Sequence, residues 1–174
     1  MKITPKMLGL ISELSKNAKK SDRDIAKSLN ISQPTVTRMR KKLEDKKYIT
    51  EYSTILDLSK LGFEIVSFIF FKTKKIGGKR VKDSAHEMIR TNPNILYAGF
   101  GNGLHGQNTM LVCIHKDFTD YTNCLEDFKK RWEDNIDHLD SFLVSIKSFS
   151  PKPFSFKSLG EILRYSEILK KQNK

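Results

Sequence analysis

The sequence predicts an α+β chain: an N-terminal winged helix-turn-helix, then a ferredoxin-like βαββαβ domain, then a C-terminal helix. Three observations carry this reading. Basic side chains gather at the two ends, with a net charge of +7 over residues 1–60, +1 over 61–150 and +4 over 151–174. Residues 5–43 hold apolar stripes at helical spacing, broken by capping residues and short turns. Residues 63–146 alternate apolar strand-like runs with two helical stripes. The expected boundaries are therefore 1–60, 61–150 and 151–174.

With 174 residues, 38% hydrophobic and 30% charged, the chain has enough apolar side chains for one medium core or two small ones, which excludes disorder throughout. Its longest apolar run, Ile65 to Phe71, is broken by Ser67 and falls far short of the roughly 20 residues a spanning helix needs. The start is basic, but only Met7 to Ser12 precede Glu13, too few for the apolar part of a secretory signal. A cytoplasmic location without a membrane partner is expected. Cys113 and Cys124 lack paired spacing, so they are expected to be buried thiols rather than part of a disulfide framework. His86, His105, His115 and His138 fall in four segments without H-x-x-H or H-x-x-x-H spacing, so no metal and no cofactor is expected.

In the basic N-terminal part, Met7, Leu8, Ile11 and Leu14 recur at helical spacing over residues 5–16, with Pro5 suited to the first turn. Ser21 offers an N-cap with Asp24 three residues on, and Ile25, Ala26 and Leu29 share one face of a second helix that ends at Asn30. Ser32 is expected to cap a third helix with Pro34 in its first turn and Val36, Met39 and Leu43 as its packing stripe. Two short helices, a tight turn and a basic third helix make a helix-turn-helix. The candidate contacts to duplex DNA are Ser32, Gln33, Thr35, Thr37 and Arg38 at base edges and Arg40, Lys41 and Lys42 on phosphates, because hydroxyls, amides and cations are the groups that read both. The plain alternative is a three-helix bundle whose cations are only its solvated face. Residues 46–55 are rich in β-branched and aromatic side chains and read as a small hairpin, which would be the wing.

In the middle, a strand over 63–74, a helix carrying Val81, Ala85, Met88 and Ile89, strands over 95–100 and 110–114, a helix carrying Tyr121, Leu125, Phe128 and Trp132, and a last strand with Phe142, Val144 and Ile146 give βαββαβ. Strands 65–71 and 110–114 are apolar on both sides, yet two helices cover only one face of a sheet. A symmetric dimer, or a higher oligomer, is expected to cover the other. The alternative is that the tail folds back over it. Gly101-Asn102-Gly103-Leu104-His105-Gly106 matches G-x-G-x-x-G, but a strand rather than a helix follows, so no dinucleotide site is expected. Asn102, His105, Gln107 and Asn108 are candidates for binding a small polar effector. In the tail, Pro151 and Pro153 stop the last strand, and Leu159, Ile162, Leu163 and Leu169 mark an amphipathic helix over 158–171, with Arg164, Lys170 and Lys171 off its apolar side. That helix is expected to pack on its own protein, as part of the dimer.

The run from Ser21 to Arg38, continued by Leu43-Glu44 and Tyr48-Ile49, resembles the winged helix of the Lrp/AsnC (feast/famine) family of prokaryotic transcription regulators, and the βαββαβ middle is similar to that family's dimerising domain. The resemblance covers about residues 3–150. It implies a sequence-specific DNA-binding regulator, dimers or higher assemblies, and often a metabolite bound between C-terminal domains. Lys47 stands where the family usually has glycine, which puts a Cβ at a left-handed position at a cost of about 1 kcal/mol. The loop 101–108 replaces the family's shorter Gly-x-Tyr-Asp, and residues 151–174 extend past its usual end. A related branch resembles sirohaem decarboxylase, which uses a histidine near this loop, so His105 makes such an enzyme the alternative.

Overall fold

In the computed structural model, residues 2–74, 78–148, 150, 152 and 155–165 are described. Helix α1, Pro5–Lys16, starts where sequence chemistry places it: the Thr4 hydroxyl accepts the Met7 N–H at 3.3 Å and Pro5 occupies the first turn. Helix α2, Asp22–Leu29, begins as the Ser21 hydroxyl accepts the Asp24 N–H at 3.2 Å and donates to the Asp24 carboxylate at 2.6 Å. It ends on Asn30 in the left-handed region, φ 50°. Helix α3, Gln33–Asp45, follows Ser32. The Ser32 hydroxyl pairs with Thr35 Oγ1 at 2.8 Å instead of capping a backbone N–H.

An eight-residue helix such as α2 is marginal alone, so burial holds the three together. Leu10, Ile25, Val36 and Leu43 are fully buried, with Met7, Leu14 and Ala26 around them and Ile49 packed at the side, each large aliphatic side chain contributing about 1.5–3 kcal/mol. Beyond α3, the Tyr48 and Ile49 N–H groups both donate to the Leu43 carbonyl, at 2.9 and 3.2 Å, and Lys47 takes φ 58°. The hairpin expected over 46–55 does not form: these residues contain no strand. Its strand-prone residues are divided, Ile49 going to the core while Tyr48, Tyr52 and Ile55 stay exposed on a single arm, and no turn pair such as Asn-Gly is present to reverse the chain.

The chain divides into two compact units, Met1–Ile55 with Lys152–Lys174, and Leu56–Pro151. Helix α6, Lys157–Tyr165, belongs to the first and packs on α1. Ser12 and Gly160 are buried where the two helices meet. The expected helix continued to 171; Leu169, Lys170, Lys171 and the Arg164 side chain lie outside the described residues.

The second unit contains β1 (Ile65–Thr73), α4 (Gly78–Thr91), β2 (Ile95–Phe100), β3 (Thr109–His115), α5 (Phe118–Trp132) and β4 (Ile136–Ser145). The strands form one antiparallel sheet in the order β2-β3-β1-β4, the ferredoxin-like arrangement. β4 starts well before the Phe142 to Ile146 stretch that marks it in the sequence, past a register shift opposite Phe70 and Lys72 and a positive φ at His138. On one face Ile69, Phe71, Leu111 and Cys113 pack with Ile89, Leu125 and Phe128, the Phe71 and Phe128 rings 5.2 Å apart. The Val81 side chain expected in α4's stripe lies outside the described side chains. Cys113 is buried and its thiol is pushed up to about 12 by burial, whereas Cys124, expected to be buried, is half-buried. On the opposite face Phe68 stands between Val112 and Phe142, and Val66 between Ile114 and Val144. Phe142 remains 64% exposed.

His115 is fully buried, its Nε2 2.8 Å from Ser67 Oγ and its ring edge-on to Tyr121. Burial holds its imidazole below the usual histidine value, against a smaller opposing pull from Asp120. The unfolded chain therefore binds a proton that the folded sheet unit refuses, so His115's contribution is intact above the unfolded value, near 6.5, and is lost as pH falls through it. Urea unfolding of His115→Gln should show a shallower loss of stability between about pH 7 and pH 5.5 than the parent chain; an unchanged slope would exclude this linkage. Lys47→Gly should raise stability by about 0.5–1 kcal/mol by relieving the left-handed Cβ, and a lower urea midpoint would refute that.

Candidate nucleic-acid interface

Helix α3 turns Val36 and Leu43 inward, with Met39 half-buried beside them, and leaves Gln33, Thr37, Arg38, Lys41 and Lys42 exposed. Thr35 and Arg40 are half-buried. The side chains of Arg38, Lys41 and Lys42 make no hydrogen bond or ion pair among the described residues. They project as solvated cations from the side opposite the core, with exposed Lys46 and Lys47 just beyond.

The remaining polar groups of α3 are engaged within the unit. Asp22, at the first turn of α2, accepts Arg40 Nε at 2.7 Å through Oδ1 and the Thr37 hydroxyl at 2.7 Å through Oδ2. The Arg40 guanidinium also donates to the Lys20 carbonyl at 3.3 Å and to the Tyr52 hydroxyl at 3.2 Å. Tyr52 in turn donates to Glu44 at 2.7 Å. Arg40 Cζ lies 5.8 Å from the Tyr52 ring centroid, so packing accompanies the hydrogen bond. Burial and the bond to Glu44 raise the Tyr52 hydroxyl above the usual tyrosine value. The chain Asp22–Arg40–Tyr52–Glu44 joins α2, α3 and the arm.

Of the eight candidate DNA contacts, then, Gln33, Arg38, Lys41 and Lys42 lie exposed without side-chain partners, Ser32 and Thr35 pair with each other, and Thr37 and Arg40 are tied to Asp22. Sequence reasoning missed Asp22 and Tyr52. Asp22 reads only as a favourable acid in a first helical turn, and its partnership with a residue 18 positions away exists only in the folded unit.

Between β2 and β3 the loop makes a short helical turn, Leu104–Gly106, with φ 53° at His105 and 76° at Gly106. Asn102 and His105 are exposed. Asn108 Oδ1 accepts the Thr73 N–H and hydroxyl, both at 2.9 Å, closing the end of β1. Gln107 is buried and donates to Asp140 and to the His138 carbonyl. Two of the four candidate effector residues are thus occupied inside the sheet unit.

Arg40→Ala should destabilise the chain by about 1–3 kcal/mol, because it leaves Asp22 half-buried without its cation, whereas Lys41→Ala should change stability by less than about 0.5 kcal/mol. Urea midpoints decide: equal effects of the two substitutions would contradict the division of α3 into a tied side and a free side.

A family model described as winged helix-turn-helix DNA-binding matches residues 4–50. The LrpC regulator of Bacillus subtilis is 30% identical over 95 residues, which span 55% of this chain and 63% of LrpC. The Ptr1 regulator of Methanocaldococcus jannaschii is 35% identical over 71 residues, 40% of this chain and 48% of Ptr1. The chain therefore spans less than two-thirds of LrpC and about half of Ptr1. In three dimensions the LrpC structure superimposes with a TM-score of 0.67 at 24% identity, covering 87% of this chain and 100% of LrpC. The structure of Escherichia coli AsnC does so with a TM-score of 0.71 at 18% identity, covering 90% and 99%. Among the described residues no helix is long and apolar enough to cross a membrane. Residues 4–50 thus match a winged helix-turn-helix DNA-binding model, the sequence relatives are HTH-type transcriptional regulators, and the fold is the one seen in the LrpC and AsnC structures.

Proposed function

We propose that the chain is a sequence-specific transcription regulator that reads duplex DNA with the solvent-facing side of α3. The observation carrying this reading is the segregation of charge on one helix: Arg38, Lys41 and Lys42 are exposed and unpaired among the described residues, while Arg40 is held by Asp22. A helix is about 10–12 Å across, which suits a major groove about 12 Å wide. Arg38 lies centrally on the free side and is assigned to a base edge, with Gln33 at the helix start beside it. Lys41 and Lys42 are assigned to phosphates. Arg40, expected on a phosphate from the sequence, is reassigned to holding the helix in place. Ser32, Thr35 and Thr37 remain candidate contacts through hydroxyls that can exchange their present partners for DNA.

The working form in this reading is a homodimer. The open sheet face offers Phe68, Phe142 and Val144 in apolar register, and a second copy of the same face is the simplest complementary cover. Two copies also present two recognition helices to half-sites about one DNA turn, roughly 34 Å, apart. An effector, where one acts, is assigned to the exposed Asn102 and His105. The decarboxylase alternative gains no support from the regulators to which this chain is similar.

Selection of bound fragments from random duplex DNA should return a two-fold motif; recovery of no enriched sequence would refute the reading. On the selected duplex, Arg38→Ala should cost about 1–3 kcal/mol and blur preference at one base position, while Lys41→Ala should weaken all sequences alike. Equal losses on selected and random DNA for Arg38→Ala would remove its base-reading role. Sedimentation at micromolar concentration should give a multiple of the 20.1 kDa chain mass, and Phe142→Asp should shift it toward the monomer; a monomeric parent chain would contradict the dimer.

A further inference from the structure

The C-terminal extension makes the DNA-reading unit depart from a single-tether design. The chain leaves this unit after Ile55, builds the whole sheet unit over Leu56–Pro151, and returns at Lys152 to place α6 on α1. The junction is close. The Ser12 hydroxyl donates to the Gly160 carbonyl at 2.7 Å, with Ser12 buried in the middle of α1. Lys16 pairs with Glu161 at 2.6 Å one turn further along. A Cβ added to Gly160 would lie 2.8 Å from the Ser12 carbonyl oxygen, a backbone atom that cannot swing aside, so only glycine admits this approach. Leu8, one turn before Ser12 on the same side of α1, is buried although it lies outside the three-helix core cluster.

A unit held by one linker samples many positions, and the second of two binding events is then governed by linker length. A unit held by two chain segments that both return to it samples far fewer. We propose that α6 is a second fastening of the DNA-reading unit, with Gly160 and Ser12 as positioning residues, and that it sets which separation of two half-sites the regulator accepts. This rests on the reading of α3 as the DNA-contacting helix, and it goes beyond it by assigning a specificity role to a segment that touches no base.

The experiment uses the full-length chain and its Gly160→Leu variant. Hydrogen exchange reports docking of α6 on α1, and trypsin reports motion of the segment between the units through cleavage at Lys60, the first basic residue after the boundary at Ile55. Binding is measured on the duplex selected by the parent chain, on single half-sites cut from it, and on versions with the half-site separation changed by two base pairs either way. The parent chain should lose at least tenfold in affinity on the altered separations. Gly160→Leu should expose α1 amides, raise cleavage at least fivefold, narrow the penalty for altered separation to about twofold, and keep single half-site affinity unchanged.

Four results would overturn the proposal: α6 still docked in Gly160→Leu, unchanged cleavage, a parent chain indifferent to separation, or identical separation profiles with α6 undocked. Failure of the underlying reading is distinguishable, because it would leave no selected duplex at all, and exchange and cleavage would still decide the fastening. Glu161→Lys, which opposes Lys16 without steric conflict, provides an independent variant expected to shift the same readouts in the same direction by a smaller factor.

Discussion

The carboxylate of Asp22 joins the buried stripe of Val36 and Leu43 in setting which side of α3 meets solvent. It stands at the first turn of α2, where the helix dipole already favours an acid, and it accepts both Arg40 and Thr37. Two charge-assisted bonds to one half-buried carboxylate add a directional constraint to the apolar stripe of α3, which by itself is non-directional. Once Arg40 is committed inward, Arg38, Lys41 and Lys42 are committed outward. The extension of the network through Tyr52 to Glu44 brings the arm after α3 into the same constraint.

The sheet unit obeys a different constraint, the need to cover two faces with the material available. Helices α4 and α5 supply one cover, closed by Ile69, Phe71, Leu111 and Phe128. The other face carries aromatic and aliphatic side chains in register across three strands, with Phe142 there 64% exposed. The polar groups inside the sheet unit follow the ordinary rule that burial demands partners: Ser67 meets His115, Tyr121 meets Ser141, and Asn108 closes the end of β1. That last bond explains why a loop rich in amides offers fewer free ones than its sequence suggests.

Features set by short-range chemistry were legible in the sequence. Ser21, Asn30 and Pro34 act within a turn of themselves, and each is found in the role its side chain dictates. The left-handed position of Lys47, expected from the glycine that the resembling family usually has there, is found at φ 58°. The βαββαβ order was legible because continuous apolar runs and helical stripes differ in period. What escaped was set by distant partners. The capture of Arg40 by Asp22, the start of β4 among polar residues opposite Lys72 and Thr73, and the seat of α6 on α1 all depend on pairings across the fold that no local period encodes. The hairpin expected after α3 failed for a related reason: strand propensity describes a surface that packs, and only Ile49 found one.

The central claim, that the free side of α3 is the surface that meets DNA, is tested most directly by backbone amide NMR of the labelled chain titrated with the duplex it selects. The account predicts shift changes concentrated in residues 32–42 and the start of the arm, with the open sheet face unaffected. Changes confined to the sheet unit, or an α3 whose amides stay unmoved at saturation, would contradict it.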